Sequence, residues 1–179
     1  MIKLLRTIQL DPSDTFVFGR AAIPGEWAVS GAFAFWNDDV PALQGKARAA
    51  FRSGFLGVGS LGWSTLVQVV QANEDDRTEM VEQLAQQLID HFGAPDVGAG
   101  RAAAEEEVAF AMSLCNQPKD TLIAVHRTFE SGETREAFRT LHDRGGPKPL
   151  RAFSFLEVEG EDEPTEEVNL LAIAERAPK

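Results

Sequence analysis

The chain has 179 residues, a net charge of −11 and a single cysteine, and 44% of its residues are hydrophobic. This length is typical of one domain, so we expect residues 1–179 to form a single domain whose core needs neither a disulfide nor a metal. The acidic balance argues against binding to nucleic acid or to an acidic membrane surface. We find no signal peptide and no apolar run long enough to span a membrane, and we predict a cytoplasmic protein.

Strands are predicted for most of the first third of the chain. Residues 2–10 and 14–18 are short candidates separated by a turn. Residues 27–36 alternate between bulky side chains and Ala or Ser. This predicts a strand whose small face a helix or a ligand can approach closely. A helix is predicted over about 41–53, and residues 63–71 return to a strand pattern.

Two helices are predicted next, over about 74–92 and 98–116. Asn73 suits the N-cap of the first helix, and Gly93 and Pro95 end it. Their apolar stripes and the short connection between them predict an αα-hairpin laid across a sheet.

The last third of the chain returns to strands. Residues 121–129 form a predicted strand, and residues 134–141 are either the second strand of a hairpin or a short helix. Further strands are predicted at 150–158 and 168–174, and residues 159–167 between them form a predicted acidic flexible loop. This order of elements predicts an α+β fold with a largely antiparallel sheet, on which the αα-hairpin and the earlier helix pack.

Residues Gly57 to Gly62 have the G-x-G-x-x-G spacing of a dinucleotide-binding turn. That turn follows a strand and opens a helix, because the amides at the helix N-terminus then bind the pyrophosphate. Here the predicted helix precedes the glycines and a strand follows them. We therefore interpret the segment as a connector that binds no nucleotide.

The other reactive residues are predicted to be structural. Cys115 falls on the apolar stripe of its helix and is expected to pack in the core. The three histidines lack the spacing of a metal site, and we expect no metal and no cofactor. The run Glu105–Glu107 lies in the N-terminal half of a helix, where the dipole favours carboxylates, and it lacks the apolar setting that raises a carboxyl pKa.

The best candidate binding residues are basic. Residues 119–151 hold 7 Lys and Arg against 5 Asp and Glu in an otherwise acidic chain. Four residues of the predicted hairpin are candidates for ligand binding: His126, Arg127, Arg135 and Arg139. Arginines in such a cluster bind carboxylate or phosphate. We favour the alternative, in which the acidic side chains interleaved with these arginines pair with them.

Three segments, GEWAVSGAFAFW, KARAAFRSGFLGVGSLGWSTLVQV and HRTFESGETREAFRTL, resemble a small bacterial protein family of unknown function. The resemblance extends over about residues 2–160. Because that family has no established activity or ligand, the resemblance implies no role for any residue.

We consider two hypotheses for the function. No catalytic constellation is recognisable, which favours a non-enzymatic accessory or protein-interaction domain that forms a homodimer or binds a protein partner. The alternative is a binding protein or enzyme for a small anionic metabolite. That ligand would lie between the small face of residues 27–36 and the basic hairpin around Arg127, Arg135 and Arg139.

Overall fold

The computed structural model describes residues 2–143 and 156–159 of the chain. Its strands are β1 (Ile2–Ile8), β2 (Ala28–Val29), β3 (Phe55–Gly57), β4 (Trp63–Ser64), β5 (Leu66–Ala72), β6 (Leu122–Glu130), β7 (Glu133–Asp143) and β8 (Leu156–Glu159). Its helices are α1 (Asp14–Val17), α2 (Gly45–Ser53), α3 (Glu74–His91) and α4 (Val97–Ser113), with short 3-10 helices at Ala32–Phe35 and Val40–Ala42.

Two antiparallel sheets organise the described residues. The larger sheet has five strands in the order β1-β5-β6-β7-β8, and the smaller has three in the order β2-β3-β4. Buried residues of both sheets share one hydrophobic core with those of α3 and α4. The α+β class and the antiparallel sheet predicted from the sequence are therefore confirmed. Within residues 2–143 and 156–159, no helix combines the length and the apolar character that crossing a bilayer requires.

The αα-hairpin forms close to its predicted bounds. The side chain of Asn73 accepts a hydrogen bond from the N–H of Asp76, and the Asp76 carboxylate accepts one from the N–H of Asn73. This reciprocal capping fixes the start of α3. The earlier helix, α2, begins at Gly45 rather than near residue 41, because Val40–Ala42 form a separate 3-10 turn.

The basic segment forms a β-hairpin. Residues 134–141, for which the sequence allowed both a strand and a helix, belong to β7 and pair with β6 along their whole length. The two strands are joined by Ser131 and Gly132, both in the left-handed backbone region. This conformation is the one that two-residue hairpin turns favour.

The predictions for the C-terminal part fall largely outside the described residues. Of the strand predicted at 150–158, the structure describes Leu156–Glu159, which pairs with β7. The acidic loop predicted at 159–167 lies outside the described residues apart from Glu159. The strand predicted at 168–174 lies outside them completely.

The strand predicted over 27–36 is wrong. The chain is extended only at Ala28–Val29 and then turns at Gly31, whose φ of +85° lies in the left-handed region. A 3-10 helix at Ala32–Phe35 follows. A Cβ at Gly31 would also lie 2.6 Å from the Cβ of Leu56, so both the backbone conformation and the space require glycine. The alternation of bulky and small residues thus reflects separate packing sites along a turning chain.

The strand predicted over 14–18 is the short helix α1. Its first residue, Asp14, is buried and accepts hydrogen bonds from the N–H and the hydroxyl of Thr65. Thr65 separates β4 from β5, which belong to different sheets. The strand predicted over 63–71 is therefore divided in two at this contact.

The glycine-rich segment Gly57–Gly62 connects β3 to β4, so a strand precedes it where a helix was expected. Its amides bind an anion that belongs to the chain itself. The Glu26 carboxylate accepts hydrogen bonds from the N–H groups of Gly59 and Ser60 at 2.8 Å each, and from the Ser60 hydroxyl at 2.6 Å. It also accepts one from the N–H of Ile23 at 2.7 Å. The connector therefore holds the loop before β2, which contains Glu26, in place. The Glu26 carboxylate is bound by amides in the way that a nucleotide-binding turn binds phosphate.

We expect Glu26→Ala to lower the free energy of unfolding by about 1–3 kcal/mol, because three backbone N–H groups lose their acceptor. Glu79→Ala, at an exposed acidic position on α3, is the matched control and should change it by less than about 0.5 kcal/mol. Urea denaturation of the two variants measures the difference. Equal stability of both variants would contradict the role of Glu26 as the anion of this turn.

Candidate functional site

The β-hairpin divides the four predicted binding residues between the two faces of the sheet. His126, Arg135 and Arg139 are exposed and lie on one face. Arg127 pairs in register with Glu136 on the other face, where its side chain is completely buried. The structure therefore does not bring the four residues together into one site.

Arg127 uses all five of its N–H donors inside the protein. Its Nε donates to the Glu136 carboxylate at 2.7 Å. Its Nη1 donates to the carbonyl oxygens of Phe51 at 2.8 Å and Ala50 at 3.5 Å. Its Nη2 donates to the carbonyl and the hydroxyl oxygens of Ser30, and the Ser30 hydroxyl in turn donates to Glu136. We call these five residues the Arg127 cluster.

The Arg127 cluster joins three separate parts of the fold. Ala50 and Phe51 belong to the last turn of α2, where the helix dipole is negative, and the Ala50 carbonyl also accepts the N–H of Gly54 at 3.0 Å. Ser30 follows β2, and Glu136 lies on β7. A buried charge is stable when it is paired and fully hydrogen-bonded, as it is here. Arg127 is thus a structural residue and offers no free donor to a ligand.

His126, Arg135 and Arg139 form an exposed basic patch. In the part of the chain that the structure describes, neither arginine of this patch takes part in an ion pair. Of the three arginines that we expected to pair with acidic neighbours, only Arg127 does so there. The Cα atoms of the two arginines are about 13 Å apart, because four residues of strand separate them. Partial burial lowers the pKa of His126, and the charges of Arg52 and Arg139 lower it further. Binding of an anion to this patch stays a prediction.

A cleft of about 800 Å³ opens between the helical hairpin and the stretch that was predicted to be a strand. One wall is the segment 33–37, which includes the 84% exposed side chain of Trp36. A second wall is the end of α3 with residues 91–95, and the third is one side of α4. Phe33 and Phe92, from the first two walls, pack edge to face with ring centroids 5.2 Å apart. Two of its walls therefore present aromatic rings, Phe33 and Trp36 on the first and Phe92 on the second.

Glu107 is a carboxyl without a partner in the α4 wall of this cleft. Its pKa is raised to about 7, first by burial and then by the nearby Glu136 carboxylate, against the opposing attraction of Arg127. Because Arg127 already pairs with Glu136, Glu107 lies beside an ion pair without belonging to it. Among the described residues it makes no hydrogen bond and no ion pair. A carboxyl in this state exchanges a proton near neutral pH, which is characteristic of binding and catalytic groups.

The prediction that the run Glu105–Glu107 lacks an apolar setting is wrong for Glu107. The three neighbouring side chains point in different directions from α4. Glu105 pairs with Arg77 of α3 at 2.6 Å, Glu106 is exposed at the cleft, and Glu107 turns toward the sheet. One turn of helix therefore combines a surface ion pair with a carboxyl that is largely removed from solvent.

Cys115 packs in the hydrophobic core, as predicted. Burial raises the pKa of its thiol to about 12, so it is protonated and unreactive near neutral pH. Within the described ranges, no group of three or more His, Cys, Asp and Glu side chains has an arrangement that could hold a metal ion.

A family model described as "Family of unknown function (DUF6505)" matches residues 1–154 of the chain. No curated protein and no solved structure matches the chain. The resemblance to a family of unknown function is confirmed by this match. The comparisons assign no role to any residue, so the site has to be interpreted from its own geometry.

We expect Arg127→Met to lower the free energy of unfolding by about 3–5 kcal/mol, because Glu136 is left as an unpaired charge beside the core. Arg135→Met, on the exposed face of the same hairpin, is the control and should change it by less than about 0.5 kcal/mol. Adding Glu136→Gln to Arg127→Met should recover part of the loss, since the orphaned charge is then gone. Urea denaturation measures all three, and equal effects of the two arginine substitutions would contradict a structural role for Arg127.

The raised pKa of Glu107 predicts that Glu107→Gln stabilises the protein in mild alkali. The folded state favours the neutral carboxyl, so this contribution to stability is complete below the ordinary pKa of 4.5 and is lost as the pH rises through about 7. At about pH 8 the variant should be more stable than the wild type by about 1–3 kcal/mol, and the difference should vanish toward about pH 4. Glu79→Gln, at an exposed position on α3, is the control and should change the free energy of unfolding by less than about 0.5 kcal/mol at both pH values. Parallel stability profiles for the two variants would show that Glu107 titrates as an ordinary carboxyl.

Proposed function

Because the chain belongs to the DUF6505 family of unknown function, we propose its function from the geometry: it is a binding domain for a small molecule, and the cleft beside Glu107 is its binding site. The proposal rests on one observation, an unpaired carboxyl largely removed from solvent in the wall of an aromatic cleft of about 800 Å³. Small-molecule sites are concave and mostly apolar, with a few polar groups that orient the ligand.

Two features of the cleft are unfavourable in the free protein and would be relieved by a ligand. An unpaired carboxyl away from solvent costs folding free energy. The large aromatic side chain of Trp36 lies 84% exposed at the edge of the same cleft. Functional sites typically contain residues that lower the stability of the folded protein and have no stabilising contact that offsets this cost.

The proposed site uses only part of the location suggested by the sequence. The stretch 27–36 contributes a wall through residues 33–36, but the αα-hairpin stands opposite it in place of the basic β-hairpin. An anionic metabolite on the patch of His126, Arg135 and Arg139 is therefore a separate hypothesis with a separate test. We place the protein in the cytoplasm, in keeping with its single thiol and the absence of a disulfide partner for it.

A second candidate function is protein interaction, through an apolar surface near the N-terminus. Four large hydrophobic side chains in the segment 10–23 are strongly exposed: Leu10, Phe16, Val17 and Ile23. These side chains are close in the sequence, and exposed apolar side chains that form a contiguous patch mark interaction surfaces. This surface supports the homodimer or protein partner expected from the sequence.

An NMR screen of small aromatic fragments against the ¹⁵N-labelled protein tests the binding cleft. We expect binding fragments to shift the amide signals of residues 33–37, 91–94 and Glu107. Ala103→Phe places a ring in the cleft and should weaken binding at least about tenfold. Ala102→Phe, on the neighbouring exposed position outside the cleft, is the control and should leave binding unchanged. Fragments that shift no cleft signal, or that are insensitive to Ala103→Phe, would contradict the proposed function.

Analytical ultracentrifugation tests the apolar surface. The wild type is expected to dimerise at micromolar concentration, and the double variant Phe16→Ser, Ile23→Ser to sediment as a monomer. The matched substitution Thr78→Ser, at an exposed position on α3, should leave the dimer intact. A wild type that is monomeric throughout this range would rule out self-association as the role of this surface.

A further inference from the structure

We propose that the cleft binds an organic cation, a primary alkyl- or arylammonium ion whose charge pairs with Glu107 and whose carbon skeleton lies against the aromatic rings of the other walls. This inference rests on the proposed function and names the class of ligand. It reverses the sign of charge that the sequence suggested for a small-molecule ligand.

The charges around the cleft favour a cation. The ionisable side chains lining it are Glu106, Glu107 and His91. No lysine or arginine in the described part of the chain lines it. An anion entering the cleft would approach two carboxyl groups without a cation to receive it, and it would do so in a chain of net charge −11. An ammonium ion would meet the opposite charge.

Glu107 lacks a cation in the free protein because the nearest guanidinium is fully used. Arg127 bonds to Glu136 at 2.7 Å and directs its remaining donors to the oxygens of α2 and Ser30. A ligand ammonium group would supply the missing partner, with three N–H donors for a carboxylate that makes no hydrogen bond. Glu107 therefore lacks a cationic partner within the protein, and the positive charge of an amine would provide one.

The aromatic walls suit the rest of such a ligand. The faces of Trp and Phe rings attract cations, and their area covers an apolar skeleton. Trp36, Phe33 and Phe92 provide these rings in the cleft. The chain already uses this interaction elsewhere, since the guanidinium carbon of Arg6 lies 3.9 Å from the ring centroid of Trp27. A primary amine on an aromatic or aliphatic body would use both the rings and the carboxylate.

Binding of an ammonium ion would release a proton. Near or below pH 7 the Glu107 carboxyl is partly or fully neutral, and pairing requires the carboxylate, so its proton leaves to solvent while the ligand keeps its own. The charged groups that face Glu107 are Glu106 on α4, Glu136 on β7 and Arg127 on β6, and His91 on α3 lines the same cleft. Affinity should therefore fall about tenfold per pH unit below the pKa of Glu107.

Three probes that share a phenethyl group test this inference: 2-phenylethylammonium, 2-phenylethanol and 3-phenylpropanoate. Each is titrated into the ¹⁵N-labelled full chain at about pH 7.5, and the amide signals of the cleft are followed. We expect the ammonium probe to bind at least about tenfold more tightly than the alcohol. Glu107→Gln should remove that preference and its pH dependence, whereas Glu79→Gln, at an exposed position on α3 outside the cleft, should retain both. Trp36→Ala, at an exposed position, should weaken both the ammonium and the alcohol probe, and the ammonium at least as much as the alcohol, because the ring covers the phenethyl group and attracts the cation.

The outcomes separate this inference from the proposed function. If the alcohol or the propanoate binds in the cleft as tightly as the ammonium, the inferred preference for a cation is wrong, while the proposed function of the cleft as a binding site is supported. If no probe shifts a cleft signal, the proposed function fails together with the inference. If the propanoate alone binds, and shifts only signals around Arg135 and Arg139, the ligand is an anion on the basic patch and the inference is overturned.

Discussion

The guanidinium group of Arg127 lies completely buried among α2, Ser30 and β7, and each of its donors bonds to an oxygen of one of these parts. A charge in this position has to be satisfied completely, because an unpaired one would cost several kcal/mol. The requirement fixes where the end of α2 lies relative to the β-hairpin. It also fixes the position of Ser30, which precedes Gly31 and the 3-10 helix. The chain after the small sheet, α2 and the large sheet are thereby joined by buried polar contacts.

The same requirement shapes the cleft. Burial raises the pKa of Glu107 first, and the carboxylate of Glu136, which pairs with Arg127, raises it further. The 3-10 helix that begins after Ser30 carries Phe33 and Trp36 to the opposite wall. The polar cluster that stabilises the fold thus also produces a carboxyl without a partner, facing an aromatic surface.

Local patterns in the sequence were sufficient for part of this fold. The Asn73 cap and the apolar stripes predicted the αα-hairpin, since both signals lie within a few residues of the features they specify. The alternation over 27–36 failed, because one glycine at positive φ redirects the chain and no periodicity reports that. The hydrogen bonds that the amides of Gly59 and Ser60 donate to Glu26 join residues more than thirty positions apart, and no local pattern could reveal them.

Two features of the site could have been predicted from local sequence patterns, namely the face on which Arg127 lies and the position of Glu107 on its helix. Alternation in β6 places Arg127 on the face of Val125 and opposite to His126, which already separates it from the exposed patch. Glu107 lies three residues after Ala104 and four before Ala111, at the flank of the buried stripe of α4. What the sequence could not provide is the cleft itself, because its walls come from three segments that are far apart in the chain.

The most direct measurement is a ¹³C NMR titration of the Glu107 side-chain carboxyl in the free protein. Glu107→Gln identifies the signal by its disappearance. A midpoint near 7 is expected, because the carboxyl is largely removed from solvent beside Glu136 and has no cation of its own. A midpoint near the ordinary value of 4.5 would show a solvated or paired carboxyl, and it would contradict both the geometry assigned to the Arg127 cluster and the binding site derived from it.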